Sequence, residues 1–190
     1  MRRVGLLGGS FNPAHDGHLY ISERALKLLA LDEVWWLVSP QNPLKDTDGM
    51  AGYERRLDAA EKVAARNPRV HVSDAEARLG TRFTADTLTR LADIQDRHRF
   101  VWLMGADNLL QIHRWRDWTR IFQNVPVAVF GRPGYSLRAT SSVAARRFAG
   151  DRWPQEAARR LADADLPAWV FLRIREHPLS ATRIRAEGGF

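Results

Sequence analysis

Short apolar runs alternate along the chain with segments whose apolar positions recur three and four residues apart. Val4-Gly5-Leu6-Leu7 reads as a short buried strand ended by Gly8-Gly9. From Gly17 or His18 to Leu29 the spacing turns helical, with Leu19, Ala25, Leu26 and Leu29 on one face. Val34 to Val38 is a second buried strand, after which Pro40 and Pro43 break the chain into a long loop through Gly52. Glu54 to Ala65 reads as a helix carrying Leu57, Ala60, Val63 and Ala64 on one side, and Val70-His71-Val72 as a third strand. Thr84 can cap a helix from Ala85 to about Ile94, with Asp86 in the first turn where the helix dipole favours an acid. Phe100 to Met104 is a fourth strand, closed by Gly105. Val125 to Phe130 is a fifth, closed by Gly131-Arg132-Pro133-Gly134. Ser141 to Phe148 and Gln155 to Ala162 look helical, Ala168 to Leu172 is a sixth strand, and Ser180 opens a last short helix.

This alternation predicts an α/β fold: a Rossmann-like, doubly wound parallel sheet with helices on both faces, in three α/β/α layers. No repeat, low-complexity tract or linker divides the chain, so residues 1–190 are expected to form a single domain. Ligands of open α/β sheets sit outside the carboxyl ends of the strands. The segments Gly8 to His18, Ser39 to Gly52, Gly105 to Trp118 and Gly131 to Tyr135 all follow strands, and should converge on one crevice.

Composition narrows the picture only a little. Hydrophobic residues at 45% and charged residues at 27% suit a soluble globular chain. No apolar run approaches the roughly 18 residues that cross a bilayer. The absence of cysteine excludes disulfides and thiolate metal sites. The expectation is a cytoplasmic protein without membrane association. The net charge of +7 invites a nucleic-acid reading. Nearly all of the basic residues are arginines scattered among acids, as in Glu54-Arg55-Arg56-Leu57-Asp58, and no nucleic-acid partner is expected. Solvated helix faces and a phosphate-rich small substrate account for the charge.

The segment with most chemistry is Gly8-Gly9-Ser10-Phe11-Asn12-Pro13-Ala14-His15-Asp16-Gly17-His18, between a strand and a helix. Glycines let backbone approach a phosphate closely, and a helix start adds unpaired N–H groups and a positive dipole end. His15 and His18, three apart at that start, point toward the same anion and can neutralise charge on a transferring phosphoryl group. The segment is neither a P-loop nor a GxGxxG fingerprint. Near the other end, Leu179-Ser180-Ala181-Thr182-Arg183-Ile184-Arg185 offers two capping hydroxyls and an arginine that can fork onto phosphate oxygens.

Gly-Gly-Ser-Phe-Asn-Pro-x-His-x-Gly-His resembles the signature of bacterial nicotinate-mononucleotide adenylyltransferases, within the HxGH nucleotidyltransferase superfamily. The resemblance extends from Val4 to Arg185. It implies in-line attack of the mononucleotide phosphate on the α-phosphorus of ATP, without a protein nucleophile; pyrophosphate leaves with Mg²⁺, which is carried on the ATP phosphates rather than by a metal-ligand set of the protein. It implies that His15 and His18 are catalytic. It implies an ATP site of Gly8, Gly9, Ser10 and Phe11 with both histidines, joined by Gly105 and Asp107 of Gly105-Ala106-Asp107, Arg132 of Arg132-Pro133-Gly134, and Ser180, Thr182 and Arg185, which grip the phosphates. The sequence leaves open whether Asp107 serves through the ribose or through ordered water around Mg²⁺. For the mononucleotide it implies Lys45 and Arg56 near the phosphate, and Thr84, Ala85 and Asp86 at the nicotinate end. Trp115 stacks on the ring. Trp118 is better read as packing, as are Trp35, Trp36, Trp102, Trp153 and Trp169.

The expected product is nicotinate adenine dinucleotide, made from ATP and nicotinate mononucleotide. The alternatives are a nicotinamide-mononucleotide or pantetheine-phosphate adenylyltransferase and, from another class, a non-catalytic nucleotide- or RNA-binding module, which needs neither histidine.

Overall fold

In the computed structural model, residues 1–40, 50–91, 97–131 and 134–174 are described. Val4, Leu6 and Leu7 are buried because β1 (Arg2–Gly9) is flanked on both sides by parallel strands, as expected of an apolar run without alternation. The other strands are β2 (Glu33–Val38), β3 (Val70–Ser73), β4 (His98–Gly105), β5 (Val127–Phe130), β6 (Arg152–Trp153) and β7 (Trp169–Leu172). They form one sheet in the order β3-β2-β1-β4-β5-β7-β6, parallel at every pairing.

Connecting them are α1 (Asp16–Leu28), α2 (Tyr53–Ala64), α3 (Ala75–Leu79), α4 (Thr84–Leu91), α5 (Ala106–Gln111), α6 (Trp118–Asn124), α7 (Ser136–Thr140) and α8 (Val143–Arg147). Alternate strand residues point to opposite faces, so two cores form. Leu6, Trp102 and Val129 pack with Leu88, Leu109 and Phe122 on one face. Leu7, Trp36 and Leu103 pack with Leu26, Ala60 and Leu161 on the other.

Several elements depart from the sequence expectation. Ser142 caps α8 by accepting from the N–H of Ala145, so the helix expected from Ser141 starts at Val143 and is preceded by the separate α7. The segment Gln155–Asp163 is a 3-10 helix rather than an α-helix. Val125 and Pro126 precede β5, and the short α3, α6 and β6 were not expected at all. The helix expected at Ser180 lies outside the described residues.

Strand order reverses between β1 and β4. Chains leaving these two neighbours go to opposite faces, opening a crevice at their carboxyl ends.

Candidate active site

A crevice of about 500 Å³ opens at this reversal. Gly8, Gly9 and Ser10 from the end of β1 line one side, Asp107 and Trp115 the next, and Phe83 and Thr84 at the start of α4 the third. Of the four segments expected to converge, those after β1 and β4 and Ser39 after β2 meet here, joined by the α4 start, whereas the described residues Gly131, Gly134 and Tyr135 do not line the crevice.

The close approach at Gly8 has a specific cause. A Cβ there would lie 2.4 Å from the Trp102 ring, so Trp102 stands where any other side chain on residue 8 would have to go. Trp102, expected only to pack, is buried and also lines the crevice. Phe11 takes the left-handed backbone conformation, φ 46°, and its ring stacks on Trp36 at 5.1 Å. With that ring buried, Phe11 can offer a ligand its backbone but not its side chain.

At the start of α1 the two histidines cap the helix and one another. His15 Nδ1 accepts from the N–H of Gly17 at 3.0 Å, and His18 Nδ1 accepts from the N–H of His15 at 3.2 Å. Their ring centroids are 3.9 Å apart. An Nδ1 that accepts carries no proton, so each neutral ring bears its hydrogen on Nε2. The cap therefore fixes the tautomer: both imidazoles are Nε2–H donors. His18 is packed between Phe11 and Trp36, at 4.7 and 5.8 Å. His15 is buried. Neither histidine lines the crevice; they stand behind Gly9 and Ser10, on the helix those residues lead into.

Arg56 is 1% exposed. Its Nη1 donates to the carbonyl oxygens of Ser10 and Ser39 at 2.6 and 2.7 Å. Nη2 donates to that of Pro40 at 2.8 Å and Nε to that of Ala51 at 3.0 Å. The guanidinium thereby fastens the chain ends leaving β1 and β2 to the start of α2. Expected near the mononucleotide phosphate, it sits beneath the loops that shape the crevice.

At α4, Asp86 and Thr87 donate their N–H groups to the carbonyl of Phe83, while the N–H groups of Thr84 and Ala85 find no acceptor among the described residues. Ala85 is buried, and Asp86 faces a shallower depression beside Arg82, Arg90 and Arg116. Trp118 packs edge-on against Phe122 and Phe148, whereas Trp115 lines the crevice. Gly105 is the cap of α5, placing Asp107 in its first turn. Lys45, Arg132, Ser180, Thr182 and Arg185 lie outside the described residues.

Arg82, Gln111 and Glu76 line the crevice and escaped the sequence reading; of these Glu76 is the buried acid. Glu76 is 6% exposed, lines the crevice, and hydrogen-bonds the side chains of Ser39 and Thr87. Burial pushes its carboxyl up to about 7, against the opposing pull of those two hydroxyls.

The profile of the cytidylyltransferase-like family matches residues 6–187. A curated relative from Ruegeria pomeroyi, named "Probable nicotinate-nucleotide adenylyltransferase", is 52% identical over 98% of this chain and 87% of its own. One of the same name from Parvibaculum lavamentivorans is 54% identical over 99% of this chain and 93% of its own. The chain belongs to the nicotinate-nucleotide adenylyltransferases of the cytidylyltransferase-like family. Among solved structures, the nicotinic acid mononucleotide adenylyltransferase of Plasmodium falciparum complexed with NaAD shares the fold of this adenylyltransferase-family chain. Its TM-score is 0.72 at 13% identity, over 98% of this chain and 83% of the other.

Proposed function

We propose that this chain transfers the adenylyl group of ATP to nicotinate mononucleotide, giving nicotinate adenine dinucleotide and pyrophosphate, a step in NAD biosynthesis. The observation that carries the reading is the pair of Nε2–H imidazoles fixed at the start of α1, the helix into which the crevice-lining Gly8-Gly9-Ser10 segment leads. Charge that grows on the α-phosphate oxygens as the mononucleotide phosphate attacks meets donors already oriented, so little reorganisation is needed at the moment of reaction. No protein nucleophile is required.

The pyridine ring lies against Trp115. Its carboxylate accepts from the N–H groups of Thr84 and Ala85, where the helix dipole favours an anion. An amide would set its NH₂ against a donor; leaving such groups unpaired costs about 1–3 kcal/mol each, or roughly 10- to 100-fold in discrimination. Asp107 brings one carboxylate to the crevice wall, and that suits Mg²⁺ arriving as part of the ATP substrate with water and phosphate as most of its ligands. Arg132, Ser180, Thr182 and Arg185 complete the ATP end, and Lys45 the mononucleotide phosphate, as the family signatures imply.

The test is turnover with ATP, Mg²⁺ and nicotinate mononucleotide, read as pyrophosphate release, with nicotinamide mononucleotide and phosphopantetheine alongside. Nicotinate mononucleotide should be used best. Nucleotide binding without release of pyrophosphate would mark a binding module instead.

A further inference from the structure

Trp36, expected from the sequence only to pack, reaches His18 by two separate routes. The first is aromatic. Trp36 is fully buried on β2; its ring stacks on Phe11 at 5.1 Å and meets the His18 ring at 5.8 Å, tilted by 58°. Phe11 itself lies 4.7 Å from the His18 ring, so two aromatic rings and the imidazole form one cluster at the α1 start. The second route is polar. The indole Nε1–H of Trp36 donates to the Ser22 hydroxyl at 2.8 Å, and Ser22 donates to the backbone carbonyl of His18 at 2.9 Å. An indole N–H can only donate and a carbonyl can only accept, so the direction of both bonds is fixed. Ser22 is fully buried as well.

The two routes hold different parts of the same residue. His18 Nδ1 accepts from the N–H of His15 at 3.2 Å, the long end of the usual range. That bond decides which ring nitrogen bears the proton, but a ring held at one nitrogen can still swing about the contact. Its faces must be held by neighbours, and Phe11 and Trp36 supply them. The Ser22 bond fixes the root of the side chain by tying the His18 carbonyl to β2. Trp36 stands opposite Leu7 in the pairing of β2 with β1, one residue before the glycines that line the crevice. Ring, root and glycines are therefore all referred to one indole.

We propose that Trp36 is a positioning residue for the reaction, holding the His18 imidazole so that its Nε2–H is aimed where, on the function proposed above, charge grows on the transferring phosphate. An ångström of misplacement in such a group can lower a rate by about 10²-fold, and loss of one support among several should lower it by about tenfold.

The experiment is a double-mutant cycle. Trp36→Phe keeps an aromatic ring but is smaller and lacks the N–H. It should lower kcat by about tenfold, while KM for ATP and for nicotinate mononucleotide each stay within about twofold. In the His18→Ala background the same substitution should lower kcat by less than about twofold, because no imidazole is left to place. A side chain that only packs would act alike in both backgrounds, and an equal fall in both overturns the proposal. Ser22→Ala leaves both rings in place and breaks only the polar route. It should lower kcat by about threefold, again only where His18 is present, and it carries the same comparison if Trp36→Phe does not fold. Nitrogen-15 spectra of the histidine rings, with His18 assigned by its loss in His18→Ala, judge the placement without turnover. The wild type should show a single Nε2–H form for His18, and Trp36→Phe a broadened or mixed one; ring signals unchanged in both variants refute the idea. If the wild type releases no pyrophosphate, the functional reading itself falls; if it does and the cycle is additive, only this proposal does.

Discussion

His18 shows how much a single side chain inherits from local geometry. Its ring proton is on Nε2 because Nδ1 caps the helix that carries it. On the proposed function, removing the ring takes away a phosphoryl donor but leaves the loops that line the crevice. His18→Ala should therefore lower turnover by about 10²–10³ while the Kd for ATP moves much less, as single-turnover kinetics beside nucleotide titration would show. Trp115→Ala should weaken both mononucleotides by a similar factor, because acid and amide rings offer equal faces for stacking; a changed ratio of efficiencies would mean that Trp115 also selects. At this scale the sequence was legible where residue type and spacing are unusual together, as in Gly8 to His18. Glu76 was not, because a glutamate in a short polar helical stretch looks like a solvated face. Its burial comes from β2 and α4 closing over it, which no local pattern encodes.

Elements are held in register here by polar groups as well as by packing. Arg56 joins three chain segments through four carbonyls, and a lysine has neither the reach nor the fork to replace it. Arg56→Lys should cost about 3 kcal/mol, a drop in Tm of about 5–10 °C in a thermal melt. An unchanged Tm with a raised KM for the mononucleotide would instead return Arg56 to the phosphate. Long elements were read well from periodicity: β1, α1, β2 and α2 fall within a residue or two of expectation. The failures are short. The five residues of α3 show too few turns for a helical period to register, and α6 begins after Asp117, whose left-handed backbone an aspartate tolerates but does not by itself signal. The pair of residues in β6 is a strand only because β7 lies beside it.

For the molecule as a whole, the raised acid links stability to pH. Glu76 goes from its ordinary 4.5 to about 7 on folding, so between those values the folded state holds more protons than the unfolded. Its contribution is complete below the lower value and is lost as pH rises through the upper one. Across that window the wild type should lose about 3 kcal/mol relative to Glu76→Gln, measured as the gap between their urea midpoints at each pH. A constant gap would show that the group titrates alike in both states. The global architecture was legible as parallel α/β from the alternation of strands and helices. The strand order was not, since apolar runs such as β4 and β5 do not say which neighbour they will take.

That strand order bears on how the protein comes into being. β1 lies between β2 and β4, pairing Val4 with Glu33 on one side and Phe100 on the other. A nascent chain emerging from the ribosome can form the first pair early, but the second must wait until about half the polypeptide has been made. Closing so long a loop makes it one of the slower steps. The histidine segment is thus among the first parts synthesised and among the last to become a site, because the crevice beside it has only one wall until β4 arrives. A fragment ending before β4 would carry both histidines and have nowhere to hold a nucleotide.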